Sequence, residues 1–209
     1  SNTTSRTIAF VVNDGLSDSA TATKTLALYA TPVLTGSGST TNYIVGGSSV
    51  VIDSAVSVSD ADSSTLASGS VTISSGKQSG DSLSFTNTNS TTFGNITATY
   101  TASTGVLALS SAGATATKAQ WQAAFDAVTF NTSSSNTTSR TIAYVVNDGT
   151  SDSASVSQTI APKVSPIVTT SAGSTTATNN GTGYSVDSSL TVTDADSATL
   201  ASGTVTISS

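Results

Sequence analysis

All twelve acidic residues of this 209-residue chain are Asp, and these carboxylates offer the most obvious chemistry in the sequence. Asp60 and Asp62 stand two residues apart, and so do Asp194 and Asp196. In an extended chain, residues at i and i+2 lie on the same side, so that both carboxylates can point at one cation. Oxygen ligands without imidazole or thiolate favour calcium over transition metals. The pattern therefore predicts calcium at these two Asp-x-Asp pairs.

The competing interpretation is that Asp simply caps turns by accepting backbone hydrogen bonds. We favour it for Asp14 and Asp148, which stand in two Asn-Asp-Gly triplets between alternating apolar runs, and we keep both as further candidate ligands. For the Asp-x-Asp pairs, calcium binding and turn capping both stay open. Asp-Gly also predicts a hairpin with a tight primed turn, because both residue types tolerate a positive φ.

Catalytic chemistry has little support in the sequence. The chain has no His and no Cys, so the commonest general base, thiol nucleophiles and typical zinc ligands are absent. Most of the Asp residues recur at equivalent positions of an internal repeat, and catalysis rarely needs to be copied in every repeat. We expect no enzymatic activity and no catalytic residues.

The internal repeat sets the domain organisation. Residues 1–75 recur as 135–209 without a gap, and the constant offset between the two copies is called here the repeat period. This period exceeds the roughly 20 to 50 residues of solenoid and propeller repeats, so each copy is long enough to be a domain. Pro32 and Pro166 are equivalent positions where one domain can end and the next begin. The sequence predicts the last strands of a preceding repeat at 1–31, a complete repeat at 32–165 and the first part of another at 166–209.

Strand patterns dominate the complete repeat. Ile142, Tyr144 and Val146 alternate with other residues, as expected of a strand with one buried face, and similar short runs recur between clusters of Gly, Asn, Asp and Ser. Residues 117–128 differ, because Trp121 and Phe125 follow a helical spacing that predicts a short helix with Trp121 in the core. We therefore expect an all-β fold of tandem β-sandwich repeats, with one short helix per repeat.

Composition limits the partners. Charged residues make up 9% of the chain and the net charge is −6, which argues against nucleic acid because such binding needs a basic surface. No apolar stretch approaches the length of a membrane span, and without Cys there are no disulfides.

Residues 50–160 carry a resemblance in the order and spacing of their motifs. Four segments follow one another in this order: VSVSDADSSTLASGSVTIS, GDSLSF, ITATYTASTGVLALSSAGATATKAQWQAAFDAVTF and RTIAYVVNDGTSDS. This segment resembles the cadherin-like repeat of very large secreted bacterial adhesins, including those with RTX-type export. The resemblance implies an immunoglobulin-like β-sandwich, tandem arrays, and an extracellular cell-surface or biofilm setting.

The same resemblance implies calcium at the Asp-x-Asp segment and near domain junctions. Carried over residue by residue, it points to Asp60, Asp62, Asp194 and Asp196, with Asp14 and Asp148 as further candidates. The chain departs from cadherins at the junctions, which read LALYATPV and IAPKVSPI and contain no acidic residue. This departure argues against a caged calcium ion between domains.

Three functions remain open on these grounds. The first is a structural and adhesive stalk or fibre, in which the partners are neighbouring repeats of the same chain; repetition favours it, since a spacer gains from near-identical copies. The second is a binding module that recognises surface glycans. The third is a subunit of an extracellular filament or surface layer, in which an edge strand near residues 49–53 pairs with another copy.

Overall fold

A computed structural model describes residues 3–178, 181 and 183–208 of the chain. The undescribed positions, 1–2, 179–180, 182 and 209, fall in the predicted first and third segments. The structure is predominantly β and contains several sheets, an arrangement compatible with a β-sandwich. The all-β prediction is thus confirmed at this level.

The described part of the chain forms fifteen strands and two α-helices. In chain order they are β1 (Arg6–Phe10), β2 (Ala22–Leu26), β3 (Val33–Thr35), β4 (Thr40–Ile44), β5 (Val50–Val51), β6 (Ser57–Ser59), β7 (Ser68–Ser75), β8 (Asp81–Ser84), α1 (Ser90–Phe93), β9 (Ile96–Thr101), β10 (Val106–Ser111), α2 (Lys118–Asp126), β11 (Thr129–Thr132), β12 (Arg140–Asn147), β13 (Val156–Lys163), β14 (Ile167–Thr169) and β15 (Thr191–Thr193). A short 3₁₀ turn, Ala112–Ala114, precedes α2.

The largest sheet has six strands in the order β4-β13-β12-β7-β10-β9. Its pairings are antiparallel except that β13 runs parallel to β4. Along β12 buried and partly buried residues alternate, because successive side chains of a strand point to opposite faces. Ile142, Tyr144 and Val146 are fully buried, as the alternation predicts.

A smaller sheet, β5-β11-β8, and the pair β3-β6 complete the arrangement around one apolar core. An aromatic contact links the two larger sheets. The ring of Tyr43 in β4 packs edge-on against the ring of Phe130 in β11, with ring centroids 5.4 Å apart. The suggested edge strand near residues 49–53 is shorter than expected: β5 contains only Val50 and Val51, and it pairs with β11.

Helix α2 packs against this core through Trp121, Ala124 and Phe125. The helix predicted over residues 117–128 is present from Lys118 to Asp126, and Thr117 caps it. The Thr117 hydroxyl accepts from the backbone N–H of Gln120, while the Gln120 side chain accepts from the N–H of Thr117, so that two otherwise unpaired donors are satisfied. Trp121 is fully buried and its Nε1 donates to the carbonyl of Leu66 at 3.1 Å. Trp121 is thus a core residue.

Two local features differ from the sequence-based expectations. The four-residue helix α1 was not predicted, because its sequence STTF has no helical apolar periodicity; Asn89 caps it by accepting from Thr91 N. The Asn-Asp-Gly turns are not tight primed turns. Asn147 bridges to Asp152 across a four-residue loop, and Gly149 takes the positive φ of 100° while Asp148 does not.

Two two-stranded sheets, β1-β2 and β14-β15, repeat pairings found in the central part of the chain. β1 and β2 pair from Arg6↔Leu26 to Phe10↔Ala22, which is the β12–β13 register shifted by one repeat period. In the same way β14 and β15 repeat the pairing of β3 with β6. The equivalent sequences therefore form the same local pairs at both places.

Candidate functional site

The Asp60-x-Asp62 loop follows β6 and is closed by its own carboxylates. Asp60 Oδ1 accepts from the backbone N–H groups of Asp62 and Ser63, both at 2.9 Å. Asp62 Oδ2 accepts from Ala30 N at 3.0 Å, and Ala30 lies in the connection between β2 and β3. The loop therefore holds the chain segment just before Pro32.

A lysine ties the same loop to α2. Lys118 Nζ donates to the backbone carbonyl of Asp60 at 2.7 Å. Burial by itself raises the pKa of Asp60, but the hydrogen bonds from Asp62 and Ser63 and the charge of Lys118 outweigh it and hold the pKa below its ordinary value. Asp60 is therefore a carboxylate at neutral pH, as a cation ligand must be.

The second Asp-x-Asp loop has the same construction. Asp194 Oδ1 accepts from the backbone N–H groups of Asp196 and Ser197, both at 3.0 Å. Asp196 Oδ2 lies 3.6 Å from Nζ of Lys163, the last residue of β13. The hydrogen bond from Asp196, followed by smaller effects, lowers the pKa of Asp194. Each pair thus contacts the strand or connection that leads to the next Pro.

Some oxygens of these loops have no hydrogen bond. Oδ2 of Asp60 and both carboxylate oxygens of Asp196 are buried and accept none. The donor set of each loop is nevertheless small. In residues 3–178, 181 and 183–208, no three Asp side chains come together in a group that could hold a metal ion. Each loop supplies two carboxylates, so a cation there would need backbone carbonyls or water for its remaining ligands.

Asp14 and Asp148 act as turn caps and do not join the pairs in such a group. Asp148 Oδ1 accepts from Thr150 N at 2.6 Å and from Ser151 N at 2.7 Å. Asp14 makes the equivalent bonds to Leu16 N and Ser17 N, and these hydrogen bonds lower its pKa. The Asx interpretation of these two residues therefore agrees with their contacts.

The sequence analysis missed a buried polar cluster at the other end of α2. The Asp53 carboxylate is buried and accepts from the backbone N–H groups of Ser37 and Ala55 and from Gln158 Nε2. Asp126, the last residue of α2, accepts from Val56 N at 2.8 Å. The one sequence signal was that Asp53 recurs as Asp187, which accepts from Ser171 N and Ser189 N in the same way.

Burial raises the pKa values of two groups here, Asp126 and Tyr144. It raises the pKa of Asp126, and the nearby Asp53 charge adds to the effect. Burial, followed by the charges of Asp53 and Asp126, also raises the pKa of Tyr144, whose hydroxyl has no hydrogen-bond partner. Asp53 is buried and Asp126 is half-buried, and their hydrogen bonds fix the backbone at Ser37, Ala55 and Val56.

A buried ion pair is the second polar feature that sequence reasoning missed. Arg140 of β12 donates to both oxygens of Asp81 of β8, each at 3.1 Å, and both side chains are fully buried. Arg140 also donates to the carbonyls of Asn136 and Thr138. The pair joins the large sheet to the small one, because β12 and β8 belong to different sheets.

Comparisons of the chain with protein-family models, with curated proteins and with solved structures each gave no significant match. The longest helix in the described part of the chain is α2, and no helix there is long and apolar enough to cross a membrane.

Proposed function

We propose that this chain is a structural and adhesive repeat segment of a long extracellular surface protein, built as tandem immunoglobulin-like or cadherin-like β-sandwich repeats. The observation that carries the proposal is the gapless duplication of residues 1–75 as 135–209, together with the same Asp-x-Asp loop beside the segment that precedes each equivalent Pro. A spacer gains from identical connections between its units. On this proposal the chain works as a stalk or fibre and catalyses no reaction.

We further propose that each Asp-x-Asp loop binds calcium and stiffens the connection beside it. Support comes from the depressed pKa values of Asp60 and Asp194 and from buried oxygens of Asp60 and Asp196 that accept no hydrogen bond. A divalent ion would relieve the repulsion between neighbouring carboxylates. It would stabilise the folded state by RT ln(1 + [Ca]/Kd), about 2.7 kcal/mol at a hundredfold excess over Kd. With two carboxylates per loop, we expect affinities in the millimolar to sub-millimolar range.

Calorimetric titration of the whole chain with calcium, up to about 10 mM, tests the ion directly. The informative variant carries Asp60→Asn, Asp62→Asn, Asp194→Asn and Asp196→Asn, because Asn keeps the backbone caps and removes the charge. Asp14→Asn with Asp148→Asn is the matched control. We expect binding at the loops in the wild type and the control only. Absence of heat in the wild type, or equal melting with and without chelator, would show that the loops are turns alone.

The mechanical role has its own measurement. Small-angle scattering of the chain should give a longer and narrower particle with calcium than with chelator, because a fixed connection reduces bending between the units. The Asn variant should show no such difference. A particle whose dimensions ignore calcium while calorimetry detects the ion would contradict the stiffening and leave the binding intact.

A further inference from the structure

The two carboxylates at the C-terminal end of α2, Asp53 and Asp126, have only neutral hydrogen-bond donors around them. Asp53 is 5% exposed and accepts from the backbone N–H groups of Ser37 and Ala55 and from the side-chain amide of Gln158. Asp126 accepts from a backbone N–H group. In the part of the chain that the structure describes, the salt bridges join other side chains. A carboxylate removed from water needs a positive charge nearby, so a cation would be favourable at this end of α2.

Two buried oxygens beside these carboxylates have no hydrogen bond. They are the hydroxyl of Tyr144 and Oε1 of Gln158, whose side chains are 0% and 2% exposed. Both residues face the core from the neighbouring strands β12 and β13. Nε2 of Gln158 donates to Asp53, which puts Oε1 of the same amide beside that carboxylate. The ring of Tyr144 packs edge-on against Phe125, the residue before Asp126.

We propose that four side chains at this end of α2 together bind one calcium ion, and this group, called here the inner site, consists of Asp53, Asp126, Tyr144 and Gln158. Its donors are all oxygens, which hard cations prefer, and its two carboxylates balance a divalent charge. Calcium tolerates an irregular set of oxygen ligands, whereas magnesium demands octahedral geometry. The C-terminal end of a helix adds partial negative charge, which also favours a cation. Water or backbone carbonyls would supply the remaining ligands.

A proton or a water molecule would satisfy only part of the inner site. A proton on Asp126 would remove one charge but leave the oxygens of Tyr144 and Gln158 without partners. A water molecule would bond to both oxygens but leave the two carboxylates unbalanced. One cation meets both requirements. Asp126 is half-buried, so the ion has a path from solvent.

The other copy of the repeat supports the need for positive charge. The residues equivalent to Tyr144 and Gln158 are Phe10 and Lys24. The hydroxyl and the amide are thus replaced together, one by an apolar ring and the other by an ammonium group. This is the exchange expected if a lysine takes the place of a bound cation.

The inner site is separate from the Asp-x-Asp loops. Lys118, the first residue of α2, contacts Asp60, whereas Asp126 is the last residue, roughly 12 Å further along the helix. The proposal therefore depends neither on calcium at the loops nor on the stalk function. Its tests begin from a chain without the loop carboxylates, called here the loop variant, which carries Asp60→Asn, Asp62→Asn, Asp194→Asn and Asp196→Asn.

Calorimetric titration of the loop variant with calcium chloride should give one ion per chain. Adding Asp126→Asn should weaken this binding about tenfold or more, because one of two carboxylate ligands is lost while an acceptor for Val56 N remains. Asp148→Asn, added instead, is the matched control: it removes the same charge from a turn and should leave the affinity unchanged. No heat from the loop variant up to about 10 mM calcium overturns the proposal, and so does equal affinity with and without Asp126→Asn.

The residues of the other copy provide two more variants. Tyr144→Phe should weaken calcium binding without lowering the melting temperature in chelator, because the hydroxyl has no hydrogen bond to lose. Tyr144→Phe combined with Gln158→Lys should bind no calcium and should melt higher than the loop variant in chelator, since the ammonium group balances the carboxylates. Calcium binding that survives the double change, or lower melting of this variant in chelator, would contradict the inner site.

Thermal stability at pH 7 separates a cation from a water molecule or a proton. In chelator, Asp126→Asn should melt higher than the loop variant, because the change removes a half-buried charge that has no counter-ion. In about 10 mM calcium the order should reverse, because only the loop variant keeps both carboxylate ligands. The same order in chelator and in calcium would show that the cluster holds water or a proton alone, and would overturn the proposal.

Discussion

The β1–β2 and β12–β13 hairpins have nearly the same sequence and the same register, yet their surroundings differ completely. In the first, the alternating apolar side chains are exposed; in the second they are buried in the central core, which includes Phe125 of α2. Phe125 of α2 meets Tyr144 edge-on with centroids 5.7 Å apart, whereas Phe10, the equivalent of Tyr144, is more than half exposed. Local sequence therefore determines the hairpin, and distant sequence determines whether its face becomes core.

The largest expected difference between the two hairpins comes from their arginines. Arg140→Ala should lower the free energy of unfolding of the central unit by about 3–5 kcal/mol, because it leaves the buried Asp81 charge without its partner. Arg6→Ala, at the equivalent exposed position, should change it by less than about 0.5 kcal/mol. Urea denaturation of both variants measures the contrast. Equal losses would show that β1 is packed like β12.

The isoleucines give a second, slightly smaller contrast with identical side chains. Ile142→Ala should cost about 2–5 kcal/mol, since it removes buried methyl groups and leaves a cavity. Ile8→Ala should be close to neutral, because Ile8 is 42% exposed. Urea denaturation measures both variants. A large effect of Ile8→Ala would contradict the exposure of Ile8.

These contrasts also show how much the sequence predicts. The period-two pattern of Ile142, Tyr144 and Val146 and the helical spacing of Trp121 and Phe125 were sufficient to predict strand, helix and core. These signals are local, because they depend on the geometry of one element. The same signals in Ile8 and Phe10 predicted the strand correctly, but they carry no information on what lies above it.

Features that depend on distant partners were not predictable in the same way. Arg140 has a residue type that is almost always at the surface, and its partner Asp81 lies 59 residues away in another sheet. At the candidate site, capping by Asp60 and Asp194 could be foreseen from Asx chemistry. The contacts of Asp62 with Ala30 and of Asp196 with Lys163 could not, since they require the chain to fold back on the loop.

Turn caps should behave alike in both hairpins, because their hydrogen bonds are local. Asp148→Ala should speed amide exchange of Thr150 and Ser151 about fivefold, which corresponds to about 1 kcal/mol per lost hydrogen bond. Asp14→Ala should speed exchange of Leu16 and Ser17 by a similar factor. Hydrogen exchange followed by NMR measures both. Markedly different factors would mean that packing, rather than the Asx bonds, protects one of the two turns.

The smallest effect concerns pH and compares two half-buried carboxylates, Asp126 and Asp60, whose pKa values shift in opposite directions. Burial, with a contribution from Asp53, raises the folded-state pKa of Asp126 above its ordinary value of 3.8, so its neutral form stabilises the fold at low pH. That stability is lost as pH rises through the folded pKa. Asp60 has the opposite sign: its pKa is depressed, so its contribution is present above pH 3.8 and is lost as pH falls through the folded pKa.

Replacing Asp126 or Asp60 by Asn, with chelator present, tests these opposite pH dependences of stability one at a time. Asp126→Asn keeps an acceptor for Val56 N and removes the charge, so its stability relative to the wild type should increase between pH 4 and 7. Because Asp126 remains partly solvated, the gain should stay below about 1 kcal/mol. The free energy of unfolding of Asp60→Asn should instead fall relative to that of the wild type as pH rises from 3 to 5. Urea unfolding from pH 3 to 7 gives both curves. Parallel curves would mean that neither loop nor helix end perturbs its carboxylate, and the electrostatic difference between the two regions would disappear.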